Sequence, residues 1–279
     1  MVSLNTKLPG FTEKDLDFIV SNAAKDSSEP DMLKRAIAND DQLRIAMVSD
    51  ESLFEQVMND EAVFLRVSPT LYFEILLRKA HGELQVATHT LETAGRESIP
   101  VFDTDEVLEF MKRPKIIEYL ATMLASFIKI QSFVVPMRVR RGVRRRVRYN
   151  DMDVDSLIKF ASNVEPLERF GYYKRIADVC LFVSGVFPAH THRDYQQLAG
   201  GKPTPIPRTW RMRRSVEDYE REGARFYRMA QEHPTAKTLE LAGVFGVLRE
   251  NFAAARKPLT YMANRFLHSQ KQQLFGSTP

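Results

Sequence analysis

The sequence predicts a mainly α-helical protein: multi-helical, with one arginine-rich β-hairpin near the middle and a helical hairpin at the C-terminal end. Three observations predict this. Helix starts are marked repeatedly by capping residues. Residues 114–131 repeat apolar side chains at helical spacing. Residues 133–149 alternate valine with arginine around a glycine, the pattern of a two-stranded ribbon.

Taken in order, Thr12 with Asp15 three residues on forms a capping box, and Phe11 and Leu16 are spaced as its hydrophobic staple. Ser28, Pro30 and Asp31 open a helix through Ile37. Ser49 precedes Asp50 and Glu51, whose charges suit the positive end of a helix. Ser68 caps a helix with Pro69 in its first turn, running to about Gln85. A short extended stretch follows at Ser98–Phe102. Asp103 and Glu106 read as a second capping box, with Phe102 and Val107 as staple, for a helix stopping at Arg113 because Pro114 disfavours helical geometry before it.

The helix predicted over 114–131 puts Ile116, Ile117, Leu120, Met123, Leu124 and Phe127 on one face and Lys115, Glu118, Thr122, Ser126 and Lys129 on the other. Another helix is expected from Asp153 to Asn163. Residues 166–187 turn apolar nearly all round from Ile176, which reads as a central buried helix; Asp178 inside it requires a partner that the sequence does not identify. Ser215 caps a helix to Glu232, Pro234 breaks the chain, a long helix follows to Lys257, and Pro258 kinks or restarts it toward Gln270.

Composition divides the chain. Residues 1–68 form an acidic helical region with seven Lys/Arg and thirteen Asp/Glu, so the overall +4 splits into −6 here and +10 in the remainder. Residues 69–150 carry the hairpin, 151–188 a helical core, 189–214 a linker with Gly200, Gly201, Pro203, Pro205 and Pro207, and 215–279 the C-terminal helical hairpin. The N-terminus shows no basic segment followed by an apolar run, and no apolar run approaches the roughly 20 residues of a membrane span. The lone cysteine, Cys180, excludes an intrachain disulfide and suits a reducing, cytoplasmic setting as a small buried hydrophobe.

The segment Phe133–Tyr149 carries the distinctive chemistry, with seven arginines between 138 and 148. A three-residue loop at Arg140-Arg141-Gly142 would set Val139 opposite Val143, Met137 opposite Arg145, Val135 opposite Val147 and Phe133 opposite Tyr149. Arg138, Arg144, Arg146 and Arg148 then share the other face with Val134 and Pro136. Guanidinium forks match phosphate, so this face, with Arg140 and Arg141 at the tip, points to a nucleic-acid backbone, DNA ahead of RNA. Arg208, Arg211, Arg213 and Arg214 around Trp210 form a second basic group able to grip phosphates and stack on an unpaired base.

The order helix 69–85, extended stretch, helix 104–112, helix 115–131 and hairpin resembles a winged-helix DNA-binding domain over residues 69–149. The resemblance implies that helix 115–131 lies in a major groove and the hairpin is the wing. Only Lys115 and Lys129 offer cations on that helix, opposed by Glu118, which favours wing-dominated, non-specific contacts.

Other chemistry is thin. Asp151, Asp153 and Asp155 start like a calcium loop, but Ser156 and Ser162 stand where glycine and the bidentate glutamate belong. His190 and His192, near Asp194, are weak metal candidates without an identifiable third ligand. No nucleophile–base pairing or phosphate-loop motif is found, so no catalytic residue or cofactor is expected. The expected function is non-catalytic nucleic-acid binding. The alternative is a helical interaction or assembly module, with a protein partner or a second copy (a homo-oligomer), whose basic arm docks an acidic surface.

Overall fold

The computed structural model describes residues 8, 10–60, 62–94, 97–128, 132–140, 143–150, 152–188, 214–268 and 270–275. Helices dominate them. The N-terminal run is α1 (Glu13–Ala23), α2 (Pro30–Asn39), α3 (Asp41–Val48) and α4 (Glu51–Asn59), followed by the long α5 (Pro69–Leu84). Then come β1 (Thr90–Ala94), β2 (Glu97–Val101), α6 (Thr104–Met111), α7 (Ile116–Ala125), β3 (Ser132–Arg140), β4 (Val143–Asn150), α8 (Val154–Asn163) and α9 (Phe170–Val186). The C-terminal part contains α10 (Val216–Glu232), α11 (Pro234–Thr238), α12 (Ala242–Glu250), α13 (Phe252–Arg265) and α14 (Lys271–Phe275).

Local chemistry explains many boundaries. The Thr12–Asp15 capping box closes as expected, with Thr12 Oγ1 accepting from the Asp15 N–H at 3.2 Å and Asp15 Oδ2 accepting from the Thr12 N–H at 3.0 Å. Asp15 is buried, and its other oxygen accepts the Ser68 N–H at 2.7 Å, tying the start of α1 to the start of α5. Ser68 and Asp153 cap α5 and α8, and Ser215 with Asp218 completes a second capping box on α10. Glu29 rather than Ser28 precedes α2 and makes no side-chain cap; Asp50, not Ser49, caps α4. α3 is a helix beyond those expected, and Asp40 caps it through the Gln42 and Leu43 N–H groups.

Four expectations are corrected. Asp103 does not cap α6, because its carboxylate accepts the Thr90 hydroxyl at 2.6 Å and pairs with Lys257 instead, and Phe102 stays exposed rather than stapling. The extended stretch after α5 is one half of a hairpin: β1 pairs antiparallel with β2, Thr90 opposite Val101 and Glu92 opposite Ile99. The long helix expected after Pro234 is broken at Glu240, which is left-handed at φ 58°. There the Leu241 N–H donates to Ala236 at 2.9 Å and the Glu240 N–H to Lys237 at 3.1 Å, a Schellman ending with glutamate where glycine is usual. Pro258 does not restart the helix; it sits buried inside α13, which runs through it from Phe252 to Arg265.

One continuous core runs from Leu16 to Phe275. The buried α9 lies at its centre, packed by α8, α10 and α13, while α5 packs on α7 and α13. Phe182 of α9 stacks on Phe127 with centroids 4.1 Å apart and meets Phe275 edge-on at 5.0 Å. Where α9, α10 and α13 meet, Gly223 is required: a β-carbon there would lie 2.2 Å from the Phe252 ring and 3.0 Å from Cys180 Cβ.

Candidate functional site

The arginine-rich ribbon is inserted between α7 and α8, and its two roots are fixed by the core. α7 starts at Ile116, two residues later than Pro114, because Lys115 takes a left-handed turn at φ 63°. It ends at Ala125, short of the predicted 131: the Ser126 hydroxyl donates to the Met123 carbonyl at 2.6 Å, closing the last turn. Arg175 of α9 donates to that hydroxyl at 2.8 Å and lies 3.9 Å from the Phe127 ring centroid. At the other root, Met152 and Val154 are buried and Asp153 caps α8, holding the Ser156 N–H at 3.3 Å.

Between these roots β3 and β4 pair antiparallel. Phe133 stands opposite Tyr149, Val134 opposite Arg148, Val135 opposite Val147, Pro136 opposite Arg146, Met137 opposite Arg145 and Arg138 opposite Arg144. This is the register read from the sequence, and it follows from period-two alternation, since a one-residue slip would mix the two sets. The tip differs. Arg140 pairs with Val143, and the register shifts between Arg138 and Arg140, so Val139 does not face Val143. The shift absorbs one residue and moves Arg140 to the opposite parity from Arg138, into the ladder instead of the loop. Arg138, Arg144, Arg146 and Arg148 thus hold positions of one parity, together with Val134 and Pro136.

Of the second basic group, Arg208, Trp210, Arg211 and Arg213 lie outside the described residues, as do Arg141 of the ribbon and the metal candidates His190 and His192. Arg214 is described. It forms an ion pair with Asp155 of α8, Nη2 to Oδ1 at 2.7 Å, so this arginine is engaged within the fold. Among the described residues no cluster of three His, Cys, Asp or Glu side chains is placed to hold a metal ion. No helix among them is long and apolar enough to cross a membrane. Burial pushes the Cys180 thiol up, away from the reactive thiolate.

The side chains of α7 are mostly spoken for. Ile116, Ile117, Leu120, Met123 and Leu124 are buried, and so are Tyr119 and Ala121. Glu118 accepts from Arg78 at 2.9 Å, and Arg78 with Arg44 also clamps the fully buried Glu74, at 2.7 and 2.6 Å. Asp178 is held by a pair of tyrosines from distant helices, which no local sequence signal could reveal, and by Lys174 one turn upstream. Tyr119 donates to Oδ1 at 2.6 Å and Tyr227 at 2.9 Å, while Lys174 donates to Oδ2 at 2.6 Å. Burial, and then the nearby Asp178 charge, raise both tyrosines well above their ordinary value, so they remain donors. This is a buried structural knot: Asp178, Tyr119 and Tyr227 are all buried.

A cavity of about 370 Å³ opens between β1–β2, α10 and α13, edged by Leu91, Ile99 and Val216. Its two cations are engaged by carboxylates, Arg256 by Glu220 at 2.6 Å and Lys257 by Glu92 at 3.2 Å and by Asp103. Much of the N-terminal acidity is also used locally. Asp15, Asp40 and Asp50 cap helices, Lys34 gathers Glu13, Asp17 and Asp31, and Glu51 holds Lys79 at 2.6 Å. No protein-family model, no curated protein and no solved structure matches this chain.

Proposed function

We propose that this chain is a non-catalytic nucleic-acid-binding protein that contacts the phosphate backbone through the β3–β4 ribbon. The observation that carries the reading is the ladder register, which gives Arg138, Arg144, Arg146 and Arg148 a common parity. Four guanidinium groups on one side of a two-stranded ribbon repel one another unless anions neutralise them, and phosphate oxygens match the guanidinium fork. Helix α7 adds little, since seven of its residues are buried and Glu118 is committed to Arg78. If the winged-helix resemblance extends to function, the wing is therefore the main contact, and binding is sequence-tolerant because phosphate contacts position without specifying. With Arg214 held by Asp155, support from the second basic group falls to Arg208, Trp210, Arg211 and Arg213. The buried, unreactive Cys180 fits a reducing compartment such as the cytoplasm.

The test is fluorescence anisotropy with labelled DNA and RNA oligonucleotides, comparing the wild type with the Arg138→Ala, Arg144→Ala, Arg146→Ala, Arg148→Ala combination. We expect measurable binding at low salt and at least tenfold weakening in the variant, with an unchanged helical circular-dichroism spectrum. Absence of binding to any oligonucleotide, together with arginine-dependent capture of a polyglutamate peptide, would favour the acidic-partner alternative and overturn the proposal.

A further inference from the structure

The ribbon's register is lopsided in a way that bears on which nucleic acid it fits. On the parity shared by Arg138, Arg144, Arg146 and Arg148, the cationic positions are unevenly divided between the strands. β4 contributes 144, 146 and 148; β3 contributes only 138, followed toward the root by Pro136 and Val134. Arg146 stands opposite Pro136 and Arg148 opposite Val134. One strand is therefore a cationic rail and its neighbour, over most of its length, an apolar rail.

The spacings have consequences. Alternate residues on a strand lie about 6.8 Å apart, and paired strands about 4.8 Å apart. The first is the length scale of one nucleotide along a backbone, so three successive cations on β4 can follow three successive phosphates of one strand. The second is close to the step from a phosphate to its own sugar and base. A ribbon that straddled a duplex groove would need cations on both rails, facing two backbones across a major groove about 12 Å wide. Here the second rail is valine and proline. Those residues gain nothing from phosphate, but they suit the flat apolar faces of bases, which only an unpaired strand presents.

Resting on the nucleic-acid reading above, we infer that the ribbon's ligand is a single strand. Its phosphates track Arg144, Arg146 and Arg148, with Arg138 taking a fourth toward the tip, and its bases lie over Val134 and Pro136. Backbone neutralisation then supplies the salt-dependent part of the affinity, and the apolar rail supplies a salt-independent part that a paired helix cannot use.

The experiment compares a labelled deoxythymidine oligomer with a blunt duplex of equal length, over a salt series, on the full chain. Four neutralised phosphates predict a slope of log affinity against log salt of about −3 for the single strand, at roughly −0.7 per phosphate. The single strand should bind at least tenfold more tightly than the duplex. A Val134→Ser, Pro136→Ser variant should weaken the single strand severalfold without changing its slope, and leave competition by inorganic polyphosphate unaltered; Val134→Ala serves as a milder second variant. If the duplex binds as tightly as the single strand, the inference fails while the nucleic-acid reading stands. If neither oligonucleotide binds, both fail.

Discussion

Replacing Asp178 by alanine should be among the most damaging single changes in this chain. Its carboxylate is buried and accepts three donors: Tyr119 at 2.6 Å, Tyr227 at 2.9 Å and Lys174 at 2.6 Å. Removal leaves two buried phenol groups without an acceptor, at about 1–3 kcal/mol each for an unsatisfied buried donor. Lys174 keeps partial access to water, so its loss is discounted to the low end of that range. The cavity vacated by the side chain adds to this. A total of about 3–5 kcal/mol follows, the range known for breaking a buried pair on one side. Tyr227→Phe removes a single donor and should cost about 1 kcal/mol. Both tyrosines bond the same oxygen, so Tyr119→Phe and Tyr227→Phe should be non-additive, with a measurable coupling energy. Urea unfolding at constant m-value measures all of these. A loss below about 1 kcal/mol for Asp178→Ala would refute the claim that this carboxylate holds α7, α9 and α10 together.

Two glycines make opposite predictions. Gly223→Ala drives a β-carbon to 2.2 Å from the Phe252 ring and should destabilise by about 1–3 kcal/mol, whereas at Gly82, where a β-carbon meets nothing within 4 Å, alanine should stabilise α5 by about 0.5–1 kcal/mol. Equal effects on the thermal midpoint would contradict the packing described for α10. His81 has a buried Nε2 with no partner among the described residues, and burial, then Arg78 and Lys112, lower its pKa from the ordinary 6.5. The unfolded chain therefore binds its proton first, so the contribution is fully present above pH 6.5 and is lost as pH falls below it. His81→Gln should flatten the acid limb of the stability profile, and superimposable profiles would disprove this. Burial pushes Tyr72 up to about 12 and raises Tyr119 and Tyr227 well above the ordinary 10, so stability present below pH 10 should decline above it. Tyrosinate absorbance from these residues should appear only as the helical signal collapses; ionisation of all nine tyrosines at the ordinary value with helices intact would contradict it.

What was legible in the sequence is what local chemistry decides. The Thr12–Asp15 box, the Ser68-Pro69 start and the Ser215 cap each depend on residues within one turn, and all form. The ribbon's register below the tip was legible because alternation leaves a single consistent pairing. Where distant partners compete, local sequence does not decide the outcome. Asp103 looks like a cap, but Lys257 and Thr90 take its carboxylate. Glu240 gives no sign of a left-handed ending, since glycine is absent; the Lys115 ammonium 3.4 Å from its carboxylate joins two left-handed corners that no window of sequence brings together. The two tyrosine partners of Asp178 lie 59 and 49 residues away, and only Lys174, one helical turn upstream, is local. The bulge near Arg138 escaped because a two-residue connection followed by a one-residue bulge leaves the same pairing below the tip as a plain three-residue connection, and only the backbone path decides between them.

The most direct measurement is the salt dependence of single-strand affinity in the wild type and in the variant with Arg138, Arg144, Arg146 and Arg148 all changed to alanine. Neutralisation of four phosphates predicts a wild-type slope of about −3 that shrinks toward zero in the variant, with affinity falling alike for every base sequence. A slope that survives the four substitutions intact would place the contact surface elsewhere on the molecule and contradict the assignment of the ribbon.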